Sequence, residues 1–449
     1  MSAWPLLRES RTVHAGSAPG TVVRCGLTDA TLADLPVSVV LFFEQAPDED
    51  RLAAGLARAL ERLPVFAGRL RTRGEVLEIV CEDAGVPMDS YQVDETLSEA
   101  MGRVTLAGSG YVDHVEATAA RQGGHPLLTV RLSRLNDGAL ALGCSWHHAV
   151  GDVQSFALLM RTWSAAVEGT ELPEPGLVED RDAYLDGVLP AEDCGRPSFR
   201  LPEPAELAEL AREFTVAPRA NRTVQVYFTE AEIARMRERF TTATGQRLST
   251  NDVLCAHTVN TVRVLDEDQQ ARHLTMPVNL RRALDLPAEV VGNLLGEVYL
   301  RCAPAGAPEQ LAVEIRAAVN DFARSQLSLR SNRTFLESIG HARLRDCVPL
   351  GFDPARRTFT FSNWSGFGLY EITFDGLSPV LFSPAATLQL PWVAWLVEGF
   401  ERTGKLLTIV LPAKLAGRLR TEAGQAALHP FREPQDELPK LAQTMRKLA

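Results

Sequence analysis

The sequence predicts an α/β protein with mixed sheets (α+β in character), organised as two domains joined by a long crossover. Apolar runs of strand length alternate with stretches of helical periodicity in both halves of the chain. The 449 residues exceed what one ordinary hydrophobic core supports. A proline-rich, acidic segment interrupts the alternation. We therefore predict an N-terminal domain at 1–172, a crossover linker at 173–220 and a C-terminal domain at 221–449.

The first half contains strong local signals for its elements. We predict strands at 37–43, 76–81, 127–132 and 139–145, and helices at 48–62 and 156–167. Asp48 is expected to cap the first of these helices. Asn136, Asp137 and Gly138 are typical of a hairpin that leads into the apolar run at 139–145. The linker contains one helical stretch, at 205–213.

The second half repeats the alternation. We predict strands at 224–228, 275–279, 297–301, 358–364 and 406–411, and helices at 229–240, 249–264 and 309–329. Thr229 and Glu232 have the spacing of a capping box. The stretch 377–397 carries no charge and is long enough to span a membrane, but its three prolines favour buried strands and turns.

Composition excludes several classes of protein. The net charge of −11 disfavours nucleic acid as a partner, because phosphate backbones would be repelled. The seven cysteines are widely spaced and form no CxxC pair, which indicates reduced thiols. The N-terminus lacks the apolar core of a signal peptide. We therefore expect a cytoplasmic location and no membrane partner.

The most suggestive stretch is Trp146 to Asp152, WHHAVGD, which lies between a predicted strand and a predicted helix. A neutral imidazole there could accept a proton near neutral pH. His148 and Asp152 form an HxxxD pair, which is weak evidence alone. Asp152 could instead be a helix cap, and His148 a buried histidine bonded to the backbone. No further ligand lies at metal-binding spacing, so we predict no metal site.

Other chemical signals are weaker. No GxSxG elbow surrounds Ser145, which excludes a serine hydrolase of that type. Ser362 and Trp364 end a predicted strand and carry O–H and N–H donors that could face an oxyanion. An ordinary strand end with a buried tryptophan is the alternative interpretation of that segment.

Several segments, in their order, resemble the BAHD family of acyl-CoA-dependent acyltransferases. The segments are Leu27-Thr28-Asp29, Leu56 to Leu70, Val80 to Val86, His148 to Asp152, Leu248 to His257, Val278 to Arg281 and Val291-Gly292-Asn293. The late motif departs from the family, since only Tyr370, Phe374 and Pro379 of it are present. The doubled His147-His148 also resembles the HHxxxDG motif of condensation domains, although Val153 stands where their glycine would be.

The resemblance implies two chloramphenicol-acetyltransferase-like domains in a pseudo-dimeric arrangement, with a channel between them. It implies that His148 is the general base and that Asp152 is structural, paired with Arg281. Ser362 and Trp364 become candidates for the oxyanion and donor side. Ser249 and Thr250, at a helix N-terminus, become possible contacts to coenzyme A, although the charge of Asp252 opposes an anion there.

The resemblance also implies a monomer that uses acyl-CoA as a co-substrate, without a tightly bound cofactor. The acceptor would be a hydroxyl or amine of a small molecule, of the kind found in specialised metabolism. One alternative is a free-standing condensation-type enzyme that takes its acyl group from a carrier-protein thioester. Another is a catalytically silent binding protein of the same fold.

Overall fold

The protein is described by a computed structural model, which covers residues 5–106, 108–189, 196–267, 270, 272–303, 306–325, 329–353, 358–385, 389–439 and 443. The strands are β1 (Leu6–Val13), β2 (Val22–Arg24), β3 (Pro36–Phe43), β4 (Arg69–Arg73), β5 (Val76–Val80), β6 (Val86–Gln92), β7 (Leu128–Arg134), β8 (Leu140–His147), β9 (Gly176–Leu177), β10 (Phe199–Arg200), β11 (Asn221–Phe228), β12 (Arg272–Asn279), β13 (Val290–Val291), β14 (Leu295–Cys302), β15 (Val348–Pro349), β16 (Phe359–Asn363), β17 (Leu381–Pro384), β18 (Val393–Glu398) and β19 (Lys405–Pro412). The helices are α1 (Leu27–Thr31), α2 (Glu49–Arg62), α3 (Leu97–Arg103), α4 (Ala117–Arg121), α5 (Val153–Glu168), α6 (Arg181–Val188), α7 (Pro204–Ala220), α8 (Glu230–Thr244), α9 (Thr250–Leu265), α10 (Leu280–Ala283), α11 (Pro308–Ser325), α12 (Leu329–Ile339), α13 (Ala413–Arg420) and α14 (Glu422–Leu428).

Two six-stranded sheets form the framework. The first has the strand order β1-β6-β7-β8-β3-β17, and the second has the order β11-β19-β18-β16-β12-β14. Each mixes parallel and antiparallel pairs: β6 and β7 are parallel in the first sheet, and β16 is parallel to both neighbours in the second. Each sheet belongs to its own large hydrophobic cluster. The predicted α/β class with mixed sheets is therefore confirmed.

Local sequence signals placed most of the predicted elements correctly. Asp48 caps α2 by accepting hydrogen bonds from the backbone N–H groups of Asp50 and Arg51. The hairpin at 136–138 joins the antiparallel strands β7 and β8. The capping box at α8 was only half right. Thr229 caps the helix, but the carboxylate of Glu232 binds His429 and Arg432 instead of returning to the backbone.

A segment from the C-terminal half completes the first sheet. Strand β17 pairs antiparallel with β3 at its edge. The chain before β17 is anchored by Tyr370, whose hydroxyl donates to the carbonyl of Glu398 and accepts from the N–H of Phe382. Phe374 packs against Phe43 of β3. The division at 172 and 221 remains a prediction, and 381–384 lies in the sheet of the first half.

The crossover is more regular than the sequence indicates. It contains α6 and α7, and the helix predicted at 205–213 lies within α7. The helix predicted at 309–329 overlaps α11 and the first residue of α12, while residues 326–328 and Cys194 lie outside the described residues. Within the described ranges, no helix has the length and apolar character needed to cross a membrane.

Candidate active site

The loop that carries the HxxxD pair is fixed at both ends. Strand β8 ends at His147, a single 3-10 turn covers His148–Val150, and α5 follows. The indole of Trp146 donates to the carbonyl of Gly151 at 2.9 Å. A Cβ on Gly151 would lie 2.6 Å from the side chain of Ser155, so only glycine fits at this close approach. The loop therefore presents His148 in one well-supported position.

The imidazole of His148 is oriented by Asn293, which precedes β14 in the second half of the chain. Its Nδ1 lies 3.1 Å from the Asn293 Oδ1. The Asn293 Nδ2 donates to the carboxylate of Asp29 at 2.7 Å and to the carbonyl of His148 at 2.8 Å. These two acceptors fix which way the amide points, so Nδ1 must carry the proton that is donated to Asn293. The Nε2 of neutral His148 then keeps a free lone pair.

The protonation state of His148 suits a proton acceptor. Its half-buried side chain lines a cavity of about 530 Å³. Burial lowers the pKa of His148 below its usual value, and the nearby Asp152 and Asn293 partly oppose that effect. The imidazole is therefore neutral at physiological pH and can accept a proton.

His147 has a structural environment instead. Its Nε2 lies 3.2 Å from the carbonyl of Ala117, and its Nδ1 accepts from the N–H of Ala149. Burial lowers the pKa of His147 to about 4. Both ring nitrogens are occupied by the backbone, so His147 supports the loop and is not available to a substrate.

Asp152 caps α5 and ties the two halves of the chain together. Its Oδ1 accepts from the N–H of Ser155 at 3.0 Å, which caps α5. Its Oδ2 lies 2.7 Å from the Arg281 Nη1 and accepts from the N–H of Leu294 at 3.1 Å. The side chains of Asp152 and Arg281 are both at most 5% exposed. The guanidinium of Arg281 also donates to the carbonyls of Val290 and Gly292.

The cavity beside His148 has a volume of about 530 Å³. Its wall combines β3 of the first sheet with β12, β16 and β18 of the second. Ser362 and Trp364 line the same cavity as His148, on β16 and just after it. The Trp364 ring packs edge-on against Trp395. The structure thus brings a base and two hydrogen-bond donors to one cavity.

The comparisons with known proteins decide the family. A model of the Transferase family matches residues 26–418, which is most of the chain. The protein belongs to the BAHD acyltransferase family. This confirms the resemblance seen in the sequence, and the protein is an acyl-CoA-dependent acyltransferase.

Individual relatives are distant, and those described next align with most of the chain. Agmatine hydroxycinnamoyltransferase 1 of Oryza sativa subsp. japonica is 24% identical over 408 residues, which are 83% of this chain and 86% of the relative. TRI101 of F. sporotrichioides, solved with coenzyme A and T-2, matches with a TM-score of 0.71 at 14% identity, over 90% of this chain and 98% of that one. The first condensation domain of the CDA synthetase matches with a TM-score of 0.57 at 14% identity, over 96% and 99%. These structures confirm the chloramphenicol-acetyltransferase-like fold.

The other two predicted site residues of this BAHD enzyme lie in a separate cleft. Ser249 caps α9, and Thr250 is the first residue of that helix. The cleft that they line has a volume of about 410 Å³ and includes three arginines, Arg237, Arg247 and Arg316. The next residue of α9, Asn251, lines the large cavity, so one helical turn borders both spaces.

The objection raised by Asp252 is weakened by its environment. The carboxylate of Asp252 is buried, accepts from the N–H of Ser249 and is paired with the guanidinium of Arg316. Its negative charge is therefore compensated inside the protein. The cleft is lined by the first residues of α9 and by Arg237 and Arg247, a combination that suits an anion.

Sequence reasoning missed three residues that support the catalytic loop. Asn293 and Asp29 lay within the segments that resemble the family, but neither was assigned a function. Arg181 of α6 had no recognisable signal. It donates to the carbonyls of Ala149 and Val150 and forms an ion pair with Asp29 at 3.0 Å. Among the residues that the structure describes, no group of three or more metal-binding side chains is placed to hold an ion.

Proposed function

We propose that the protein transfers an acyl group from acyl-CoA to a hydroxyl or amine of a small-molecule acceptor, with His148 as the general base. The observation that carries this proposal is the orientation of His148, whose Nδ1 is held by Asn293 while its side chain lines the cavity. Family membership supports acyl-CoA as the donor. The rice relative is named for agmatine and a hydroxycinnamoyl group.

The reaction follows from the placement of one base in a partly enclosed cavity. Nε2 of His148 takes the proton of the acceptor as the oxygen or nitrogen of the acceptor attacks the thioester carbonyl. A tetrahedral oxyanion forms, and it collapses with release of the thiolate of coenzyme A. The imidazolium then returns the proton to that thiolate, and the enzyme is regenerated without a covalent intermediate.

The oxyanion needs hydrogen-bond donors, and the cavity offers two. We assign the hydroxyl of Ser362 and the indole N–H of Trp364 to that role, because both line the cavity into which His148 faces. Asp152 and Arg281 hold the loop and do not touch the substrate. Their ion pair is buried and joins the loop to the second half of the chain.

The coenzyme end of the donor is assigned to the cleft at the start of α9. The phosphates would be held by Ser249, Thr250 and the neighbouring arginines. The pantetheine arm would then pass Asn251 to reach the large cavity. This path is supported by the contact that Asn251 makes with the cavity and by its hydrogen bond from Asn363 of β16.

The general base is tested with purified His148→Ala and the matched control His125→Ala, which changes an exposed histidine. Release of coenzyme A is followed by a thiol reagent across a panel of acyl-CoAs and of amine and alcohol acceptors. We expect His148→Ala to lower kcat by about 10²–10⁴-fold with an unchanged thermal midpoint. A folded His148→Ala enzyme with the rate of wild type would refute the assignment.

The remaining expectations are tested with the same protein. We propose that it acts as a monomer in the cytoplasm on an acceptor of specialised metabolism, without a tightly bound cofactor. Light scattering measures the mass in solution. A competition between acyl-CoA and an acyl-carrier protein tests the donor, and faster turnover of the carrier-bound thioester would favour the condensation-type alternative. Ligand binding without turnover across all donors would favour a silent binding protein.

A further inference from the structure

A second, smaller cavity adjoins the catalytic one. Its volume is about 120 Å³, and it shares Leu32, Pro277 and Leu295 with the wall of the large cavity. Most of its lining is apolar, and three charged side chains reach it, namely Asp182, Glu297 and Arg333. We call this space the side chamber. It extends the space available to a substrate bound near His148.

Glu297 is held in the wall of the side chamber by its neighbours. It lies on β14, and the buried hydroxyl of Thr275 on β12 donates to its Oε1 at 2.6 Å. A Cβ on Gly351 would collide with the same Oε1. The absence of a side chain at Gly351 therefore makes room for the carboxylate. These contacts hold Oε1 in place, and the side chain of Glu297 lines the chamber.

Glu297 has no cation among the described residues within ion-pair distance, unlike the other acid of the chamber. Asp182 is paired with Arg333 and accepts from the N–H of Leu27 at 3.0 Å. Arg333 is further occupied by Asp186 and Glu337. Burial raises the pKa of Glu297 to about 7, and only the Thr275 hydroxyl opposes that effect. A carboxylate without a counter-ion in an apolar wall is costly unless a ligand supplies the opposite charge.

We propose that Glu297 binds a basic nitrogen of the acceptor, an ammonium or guanidinium that is separate from the atom that is acylated. The proposal rests on the proposed function, because it extends the acceptor site of that reaction. The chamber is smaller than the cavity of about 150 Å³ that admits benzene, so it takes a head group rather than a ring system. We therefore expect the acceptor to be a short diamine or another amino compound that carries a second, positively charged group.

The test compares diamines with monoamines of equal length. Binding of 1,4-diaminobutane and of butylamine is measured by calorimetry with coenzyme A present, so that no reaction occurs. The proteins are wild type, Glu297→Gln and the control Glu61→Gln, which changes an exposed glutamate of α2. Glutamine keeps the shape and the acceptor for Thr275 while it removes the charge. Diamines of three to six carbons then report the distance between the reacting and the binding nitrogen.

We expect wild type and Glu61→Gln to bind the diamine at least tenfold more tightly than the monoamine, and Glu297→Gln to lose that preference. A charge-assisted hydrogen bond accounts for about 10- to 100-fold. Equal binding of the two amines by wild type, no binding of any diamine up to millimolar concentrations, or a preference kept in Glu297→Gln would overturn the proposal. Acyl transfer is assayed separately, so a Glu297-dependent preference without turnover would contradict the proposed reaction and leave the binding site standing.

Discussion

Replacement of Asp152 by alanine removes one carboxylate that serves three partners. The helix α5 loses its cap at Ser155, Leu294 loses an acceptor for its N–H, and Arg281 loses its counter-ion. The guanidinium of Arg281 is left buried, with its side chain 2% exposed. It keeps hydrogen bonds to the carbonyls of Val290 and Gly292, so it is not free to leave for solvent.

The size of the effect can be worked from these contacts. Breaking a buried ion pair on one side costs about 3–5 kcal/mol, because an uncompensated charge remains. Unfolding of 449 residues has an entropy near 0.9 kcal/mol/K, at about 2.1 cal/mol/K per residue. We therefore expect Asp152→Ala to lower Tm by about 3–5 °C. Activity should fall with it, because the loop that carries His148 loses its support.

The assay is thermal unfolding followed by tryptophan fluorescence, together with kcat and KM for each variant. Asp50→Ala is the control, since Asp50 pairs with Arg11 at the surface with 86% of its side chain exposed and should change Tm by less than about 1 °C. In the double variant Asp152→Ala/Arg281→Met the buried charge is absent, so part of the lost Tm should return. If Asp152→Ala keeps the Tm of wild type while kcat falls more than about 10³-fold, Asp152 takes part in the chemistry and the reasoning is wrong.

Three further predictions concern the base, the donor cleft and the side chamber. Asn293→Ala should lower kcat about tenfold, because one hydrogen bond that positions His148 is lost. It should also shift the acidic limb of the pH profile of kcat/KM to lower pH, because Asn293 raises the pKa of His148. An acidic limb at the same pH as in wild type would contradict this. In wild type that limb should lie below pH 6.5. Arg237→Gln should raise KM for acyl-CoA about tenfold but not KM for acyl-pantetheine, which lacks the nucleotide phosphates. The control Arg239→Gln on the same helix should change neither KM. Equal effects on both donors would show that the phosphates do not bind in this cleft. Glu297→Gln should raise Tm by up to about 3 °C at pH 8 and by less at pH 5. The pKa of Glu297 in the folded protein, about 7, exceeds the ordinary value of 4.5, so stability is lost as pH rises through that interval. A pH-independent change in Tm would show that burial of the carboxylate does not destabilise the fold.

The sequence was sufficient to predict the elements whose stabilising interactions are local. Asp48 and the turn at 136–138 depend on contacts within a few residues, so their patterns predicted the elements correctly. Glu232 shows the opposite case. Its spacing from Thr229 favours a capping box, but the imidazole of His429 and the guanidinium of Arg432 approach its carboxylate in the folded chain and take the place of the backbone N–H.

The same distinction holds for the site. The HxxxD pattern and the family resemblance pointed to His148 and Asp152 because both lie within one stretch of five residues. The tautomer of His148 and the support of its loop depend on three other residues, Asp29, Arg181 and Asn293, which are far apart in sequence. Glu297 could not be singled out from the sequence, since its lack of a counter-ion follows from the packing of β12, β14 and the turn at Gly351.

The position of β17 at the edge of the first sheet matters for any attempt to produce the two halves of the chain separately. Without residues 381–384, the strand Pro36–Phe43, PVSVVLFF, would expose an unpaired apolar edge. Such an edge is a template for pairing with other chains. An N-terminal fragment that stops in the crossover should therefore aggregate when it is produced alone, and co-expression with the complementary fragment should return it to solution. The pairing of β17 with β3 therefore protects the half of the chain that carries His148.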